Sequence, residues 1–211
     1  MVHTFVPVIV AYLLGSISFS FLYGKWFKGI DIRKHGSGNA GATNTLRVIG
    51  VGPAIAVLLL DAAKGIGAVW IGKWLGAGSD VSYIPILAGL AAIAGHNWPI
   101  YFGFKGGKGI ATTIGVAATL CFIPALITGI AAILLIAATR YVSLGSLVFT
   151  GLMPVLVWLM DYPVDVFWGI LLIAIFAFVR HRTNIVKLVK GKESKIGQKA
   201  SGTAAGKGKA G

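Results

Sequence analysis

Six apolar stretches, near residues 2–24, 52–74, 82–102, 109–139, 143–160 and 163–180, follow one another along this chain with only short polar breaks between them. Each is close to or beyond the roughly 20 residues a helix needs to cross the hydrocarbon core of a bilayer. Composition agrees: 56% of the 211 residues are hydrophobic and mean hydropathy is +0.85, more apolar surface than a soluble core of this size can hide. An all-α integral membrane protein is expected. The first stretch lacks the basic start and the small-residue cleavage site of a signal peptide, so it reads as a retained span.

The fourth stretch, residues 109–139, decides the topology. As one helix it would be about 46 Å long, well beyond a hydrocarbon core of about 30 Å. A break near Phe122-Ile123-Pro124 divides it in two, and proline suits the first turn of a new helix. Seven transmembrane helices result, with the N-terminus out and the C-terminus in. All of the 19 lysines and arginines except Lys64 and Lys73 then collect on the cytoplasmic side, as short-loop charge bias requires. Six spans would instead push Arg140 and the whole basic tail outside.

The net charge of +13 therefore follows from topology and from attraction to anionic headgroups. No soluble domain is left to bind nucleic acid. The single Cys121, inside an apolar run, has neither a disulfide partner nor a metal cluster to join and reads as a small buried hydrophobe. Residues 1–197 are expected to form one seven-helix transmembrane domain. Residues 198–211, rich in Gly, Ala and Lys, read as a low-complexity disordered tail.

Three polar clusters fall on the cytoplasmic side. In "RKHGSGNAGATNTLRVIG", residues 33–50, Gly36, Gly38 and Gly41 alternate with Ser37, Asn39, Thr43 and Asn44 and lead to Arg47. Small residues with permissive dihedrals let backbone N–H groups converge on an anion, and an arginine just beyond can grip a phosphate through two nitrogens. A re-entrant turn is the plainer reading, and no Walker pattern is present. In "GHNWPIYFGFKGGKG", residues 95–109, Gly103, Gly106, Gly107 and Gly109 surround Lys105 and Lys108, while His96 and Asn97 precede a helix break at Pro99. The lysines serve either as compact positive charge for a ligand or as plain topology anchors. His96 is either a structural hydrogen-bonding residue or a group that touches substrate. In "RHRTNIVKL", residues 180–188, His181 and Asn184 lie three apart and share a helical face. Asp61 and Lys64, also three apart but inside the second span, read as an internal ion pair that orients the bundle, with a ligand or proton route as the alternative.

The chain has only six acidic residues and none lies in these clusters. Paired-carboxylate catalysis and carboxylate cages for Mg²⁺ or Ca²⁺ are therefore not expected, and no metal or cofactor is implied. Nor does H-x-x-x-x-D, the acyltransferase dyad, follow any histidine. Donors and cations in excess suit substrates that bring their own negative charge.

"GSGNAGATN", "GHNWPIYFGFKGGKG" and "RHRTNI" resemble the three signature loops of the bacterial acyl-phosphate-dependent glycerol-3-phosphate acyltransferases, the PlsY family, and "AYLLGSI", "LLLDAAKG" and "RYVSLGSL" extend the resemblance to about residue 197. The resemblance implies transfer of an acyl group from acyl phosphate to the 1-hydroxyl of glycerol 3-phosphate, giving lysophosphatidate and phosphate, in the bacterial inner membrane with no obligate protein partner. It implies catalytic roles for Ser37, Arg47, Lys105, His181 and Asn184. Substrate contacts would come from Gly38, Asn39, Gly41, Thr43, Asn44, His96, Asn97, Gly103, Gly106, Gly107, Lys108 and Gly109. His181, then His96, is the candidate base, although a substrate phosphate can take the proton instead, and direct attack is expected rather than an acyl-enzyme on Ser37. A transporter of phosphate or organic phosphates is the alternative from another class.

Overall fold

The computed structural model describes residues 2–77 and 83–198. Among them the chain forms helices and turns and no strand. The order is α1 (Val2–Gly15), α2 (Phe19–Lys28), a 3₁₀ turn (Ile32–Lys34), α3 (Ala42–Val48), α4 (Val51–Leu75), α5 (Ile84–Asn97), a second 3₁₀ turn (Ile100–Phe102), α6 (Ile110–Leu120), α7 (Phe122–Thr139), α8 (Val142–Leu159), α9 (Val164–Arg180) and α10 (Arg182–Val189). Four stretches are long and apolar enough to cross a membrane unaided: Thr4–Lys28, Val51–Leu75, Phe122–Thr139 and Val142–Leu159. A fifth is Val164–Arg180, if the bend of 62° into α10 is counted within one span. The tail expected at 198–211 lies, beyond Gln198, outside the described residues.

The long fourth apolar stretch does break, at Cys121 between α6 and α7. Pro124 occupies the first turn of α7, where its missing N–H has no helical partner to lose. The 11 residues of α6 reach only about 16 Å, near half a hydrocarbon core. The first stretch also breaks, between α1 and α2, and the freed carbonyl of Ile17 accepts a hydrogen bond from Lys64 Nζ at 2.7 Å. Lys64 Nζ lies 2.7 Å from Asp61 Oδ1, and His96 Nδ1 lies 3.5 Å from the same oxygen. The intramembrane charges thus form the internal ion pair read from their spacing.

Small residues bring these helices together, as membrane packing favours where lipid and side chain are equally apolar. Gly15 of α1 faces the Ala92 backbone of α5, and Gly95 of α5 faces the Tyr12 carbonyl of α1. Gly65 of α4 and Gly115 of α6 each press on the other helix's backbone. Helix directions follow from the cross-contacts. Gly72 meets Pro85 at one end of α4 and Asp61 meets His96 toward the other, so α5 runs opposite to α4 and delivers His96 to the end where α3, α6 and α10 gather. α7 packs chiefly along α8 and touches α6, leaving a cleft against α4. The outer side of α7 stays open, with Leu134 65% and Ile127 45% exposed, the pattern of a helix facing lipid.

Candidate active site

A cavity of ≈ 690 Å³ fills that cleft and runs from the loop face down between α4, α6, α7 and α8. Its mouth is polar, with Ser37, Asn39, Gly41, Thr43, Asn44, Arg47, His96, Gly107, Lys108, Gly109, His181 and Asn184 on its walls. Deeper it is lined by apolar side chains and small residues, among them Leu58, Ile114, Phe122, Leu126, Gly129 and Phe149. Of the residues expected from sequence, Gly38, Asn97, Gly103, Lys105 and Gly106 stand off these walls.

Loop 33–50 is held by one buried amide. Asn44 Oδ1 accepts the Ser37 backbone N–H at 2.8 Å, and its Nδ2 donates to the carbonyls of Ile32 at 3.1 Å and His35 at 3.0 Å. Both amide protons are thus spent on the loop, making Asn44 its organiser as much as a cavity wall. Gly36 adopts φ +59°, and a Cβ there would be driven into Asn44 Oδ1, so the loop requires glycine. Asn39 Nδ2 donates to Ser37 Oγ at 3.3 Å; no histidine reaches that hydroxyl among the described contacts. An Arg33–Asp31 ion pair braces the loop from outside at 2.8 Å, and Arg33 Nη1 donates to the Phe102 carbonyl at 2.8 Å. The Arg33 guanidinium holds the Asp31 carboxyl down at about 2.

Loop 103–109 is pinned at Gly107. Its N–H donates to the His96 carbonyl at 3.1 Å, and its own carbonyl accepts Arg180 Nη2 at 2.5 Å. A Cβ at Gly107 would collide with the His96 ring and lie too close to the Ala40 carbonyl. That close approach sends Lys108 inward, where Nζ donates to Asn184 Oδ1 at 2.5 Å. Lys105 is exposed and does not line the cavity. Burial, with the neighbouring Arg47, Arg180 and Lys187, brings the Lys108 ammonium down to about 8, opposed by Glu193. Asn97 is fully buried against Gly109, behind the wall rather than on it.

α9 ends at the mouth and turns into α10 at His181. His181 Nδ1 lies 2.8 Å from the Ala177 carbonyl. A carbonyl only accepts, so Nδ1 carries the proton and Nε2 the lone pair. Burial first, then Lys108, lowers His181 to about 4, so the ring is neutral at pH 7.

Two carboxylates on the walls were not among the expected site residues. Asp61 reaches the cavity beside His96, and Glu193 reaches it from the segment after α10. Glu193 carries a sequence signal in hindsight, as one of only six acidic residues and set among lysines in "KGKESK"; it falls just outside the third cluster.

Fold and site together define a class of protein: an integral-membrane helical fold whose cavity joins a cationic, amide-lined mouth to an apolar trough, suited to ligands with an anionic head and a long tail. The family model described as glycerol-3-phosphate acyltransferase matches residues 5–191, and the chain belongs to that family. It is 56% identical over 203 residues to a glycerol-3-phosphate acyltransferase of Shouchella clausii, covering 94% of this chain and 98% of the relative. With that of Halalkalibacterium halodurans it shares 53% identity over 200 residues, covering 93% and 97%. Among solved structures it is similar to PlsY (YgiH), an integral membrane glycerol 3-phosphate acyltransferase, in its glycerol 3-phosphate form. There the TM-score is 0.85 at 38% identity, covering 92% of this chain and 96% of the other. The lysphosphatidic acid form gives 0.83 at the same identity.

Proposed function

We propose that this protein transfers a fatty acyl group from acyl phosphate to the 1-hydroxyl of sn-glycerol 3-phosphate, releasing 1-acyl-glycerol 3-phosphate and phosphate. Family membership supports glycerol 3-phosphate as acceptor. The observation that carries the reading is one continuous cavity with Lys108 and Arg47 at its mouth and an apolar trough beneath. Phosphate heads meet the cations and backbone of the mouth, and the acyl chain lies between α4, α6 and α7.

The hydroxyl oxygen attacks the acyl carbonyl carbon, the bond from that carbon to the phosphate oxygen breaks, and phosphate leaves. His181 Nε2, neutral and unprotonated, accepts the hydroxyl's hydrogen bond and orients it. With its ring held near 4 it is a weak base at neutral pH. A phosphate monoester titrates at about 6, so a phosphate oxygen brought by substrate takes the proton. Ser37 binds rather than forms an acyl-enzyme, its hydroxyl being engaged by Asn39 instead of a base. Arg47, Lys108, Asn184, Asn39, Gly41 and Thr43 hold phosphate groups around the centre. Lys105 adds charge from the exposed surface. Gly38, Gly103, Gly106, Gly109 and Asn97 shape the loops behind.

Residues 1–197 act as one catalytic unit of seven spans in the bacterial inner membrane, N-terminus out, with the mouth in the cytoplasm and no protein partner required. Seven follows from counting the short α5 and α6 as crossings beside the five longer stretches, and the basic residues at the mouth support the orientation.

The test is phosphate release from purified protein given palmitoyl phosphate with and without glycerol 3-phosphate, beside acyl-CoA and acyl-carrier-protein controls. Lysophosphatidate formed only from the acyl phosphate, with release dependent on glycerol 3-phosphate, is expected. A folded sample that consumes no donor rejects the enzyme reading and favours transport of organic phosphates.

A further inference from the structure

After α10 the chain turns at Gly191, φ +64°, and comes back over the cavity mouth. The return is fastened at two places, Ser194 and Ile196. Arg47 Nη2 donates to the Ser194 carbonyl at 3.3 Å. The Arg140 guanidinium donates to the Ile196 carbonyl at 2.6 Å, and the Ile196 N–H donates to the Arg140 carbonyl at 2.9 Å. Just before these fastenings Glu193 enters the wall, only 8% exposed. A carboxylate buried without a direct counter-ion is costly unless hydrogen bonds compensate it. Here one oxygen, Oε1, accepts both Ser143 Oγ and Asn184 Nδ2, each at 2.7 Å.

The second of these bonds has a chemical consequence. Asn184 stands between a carboxylate, which only accepts, and the Lys108 ammonium, which only donates. With Glu193 in place the amide has one satisfied orientation: NH₂ toward the carboxylate and oxygen toward the lysine. The reverse would set donor against donor and acceptor against acceptor. We propose that Glu193 is a positioning residue for phosphate binding, fixing the Asn184 amide so that its oxygen aims the Lys108 ammonium across the cavity mouth. The relay runs Ser143, Glu193, Asn184, Lys108, and joins the returning segment to the phosphate-binding cation. Glu193 also balances part of the charge from Arg47 and Lys108, keeping the lysine protonated to higher pH than burial alone would allow.

This inference rests on the acyl-transfer reading for its steady-state assay, so a binding assay with inorganic phosphate runs beside it. Glu193→Ala is expected to lower kcat/KM by about tenfold to a hundredfold, chiefly through KM for the phosphate substrate that Lys108 holds. Glu193→Gln still presents an oxygen to Asn184 and Ser143. It is expected to stay within about fivefold of wild type, with its alkaline limb moved to lower pH because Lys108 has lost the nearby negative charge. In an Asn184→Ala background, Glu193→Ala is expected to add less than about threefold, the signature of two residues acting as one unit.

Full additivity of the two changes, or Glu193→Ala with wild-type KM and pH profile, overturns the inference. Glu193→Gln as inactive as Glu193→Ala in a folded enzyme does so too, and assigns the carboxylate to proton transfer. If Glu193→Ala yields no folded protein, Glu193→Asp, one methylene short of its partners, takes its place with the same expectation. Should wild-type enzyme not turn over palmitoyl phosphate, the function fails and the inference is then judged on phosphate affinity. There the order wild type, Glu193→Gln, Glu193→Ala is expected, and equal affinities overturn it.

Discussion

The mouth and the trough of the cavity are built on opposite principles. The mouth is assembled from residues far apart in the chain, held by one or two hydrogen bonds each, such as Lys108 to Asn184, Arg180 to Gly107 and Arg47 to Ser194. The trough is made of helix faces, with apolar side chains from α4, α6, α7 and α8 contributing in parallel. A polar group at the mouth has few acceptable positions, because each donor and acceptor has one partner and the buried alternative is unpaired. An apolar wall has many, since dispersion contacts are individually small and repacking absorbs change. Mutations at the mouth should therefore act on rate, while those in the trough should act on selectivity.

The largest effect is expected at Lys108. Lys108→Ala removes the half-buried cation of the wall and should lower kcat/KM by about a hundredfold to a thousandfold, whereas exposed Lys105→Ala should cost less than about fivefold. Equal losses from both would dissolve the distinction between wall and surface. The same residue sets a pH dependence. The ammonium titrates at about 8, so it is cationic below that pH and neutral above it. KM for the phosphate substrate should rise roughly tenfold per pH unit beyond 8, while Lys108→Arg should remove that limb even if its geometry lowers the rate.

Gly107→Ala comes next. The new Cβ has no room between the His96 ring and the Ala40 carbonyl, so the loop must shift and Lys108 with it. A displacement near 1 Å at a reacting centre can cost about a hundredfold, and that loss is expected in kcat/KM with little change in the detergent Tm. A large fall in Tm with undiminished turnover at low temperature would instead make Gly107 a folding residue.

Much of this division was legible in the sequence. Hydropathy located the long helices from α4 onward to within a few residues but missed the break between α1 and α2 and the short α3, and the excess length of residues 109–139 foretold the break found at Cys121. The three glycine-rich and basic clusters do meet on one cavity. What could not be read was direction. Lys105 and Lys108 are both basic residues in one flexible loop, and only the tight packing of Gly107 on His96 turns one inward and the other out. Asn44 looks like a ligand-binding amide in sequence, yet its donors are consumed by carbonyls of its own loop. Glu193 is brought to the wall by a chain reversal that no periodicity signals. Helix faces have a period; the mouth is specified by long-range pairings that have none.

A smaller effect, and one of selectivity, is expected from Gly129 on α7. It lies on the trough wall, and a Cβ there would meet nothing within 4 Å, so a larger side chain extends into the space that the proposed function gives to the acyl chain. Gly129→Leu should reduce kcat/KM for palmitoyl phosphate by about tenfold to thirtyfold. The value for octanoyl phosphate should stay within about twofold, because the shorter chain ends above the obstruction. Equal losses on both donors would mean that the trough does not hold the chain in extended form.

The smallest effect tests whether the mouth needs bracing from outside. Asp31 and Arg33, each 22% exposed, form their ion pair at 2.8 Å on the flank of loop 33–50, with the Arg33 guanidinium over the Phe21 ring. Asp31→Asn should cost about 1 kcal/mol, discounted for solvent screening, and lower Tm by about 2–4 °C in a chain of this size. Since the folded carboxyl titrates near 2 instead of its ordinary 3.8, its contribution is complete above 3.8 and is lost as pH falls from there through 2. The wild-type advantage over the variant should therefore vanish in that window and persist at neutral pH. Turnover should hardly change, because Arg33 keeps its hydrogen bond to the Phe102 carbonyl and loop 33–50 keeps Asn44. A rate loss as large as that of Gly107→Ala would show that the loop's inner hydrogen bonds cannot hold the mouth in register without the ion pair.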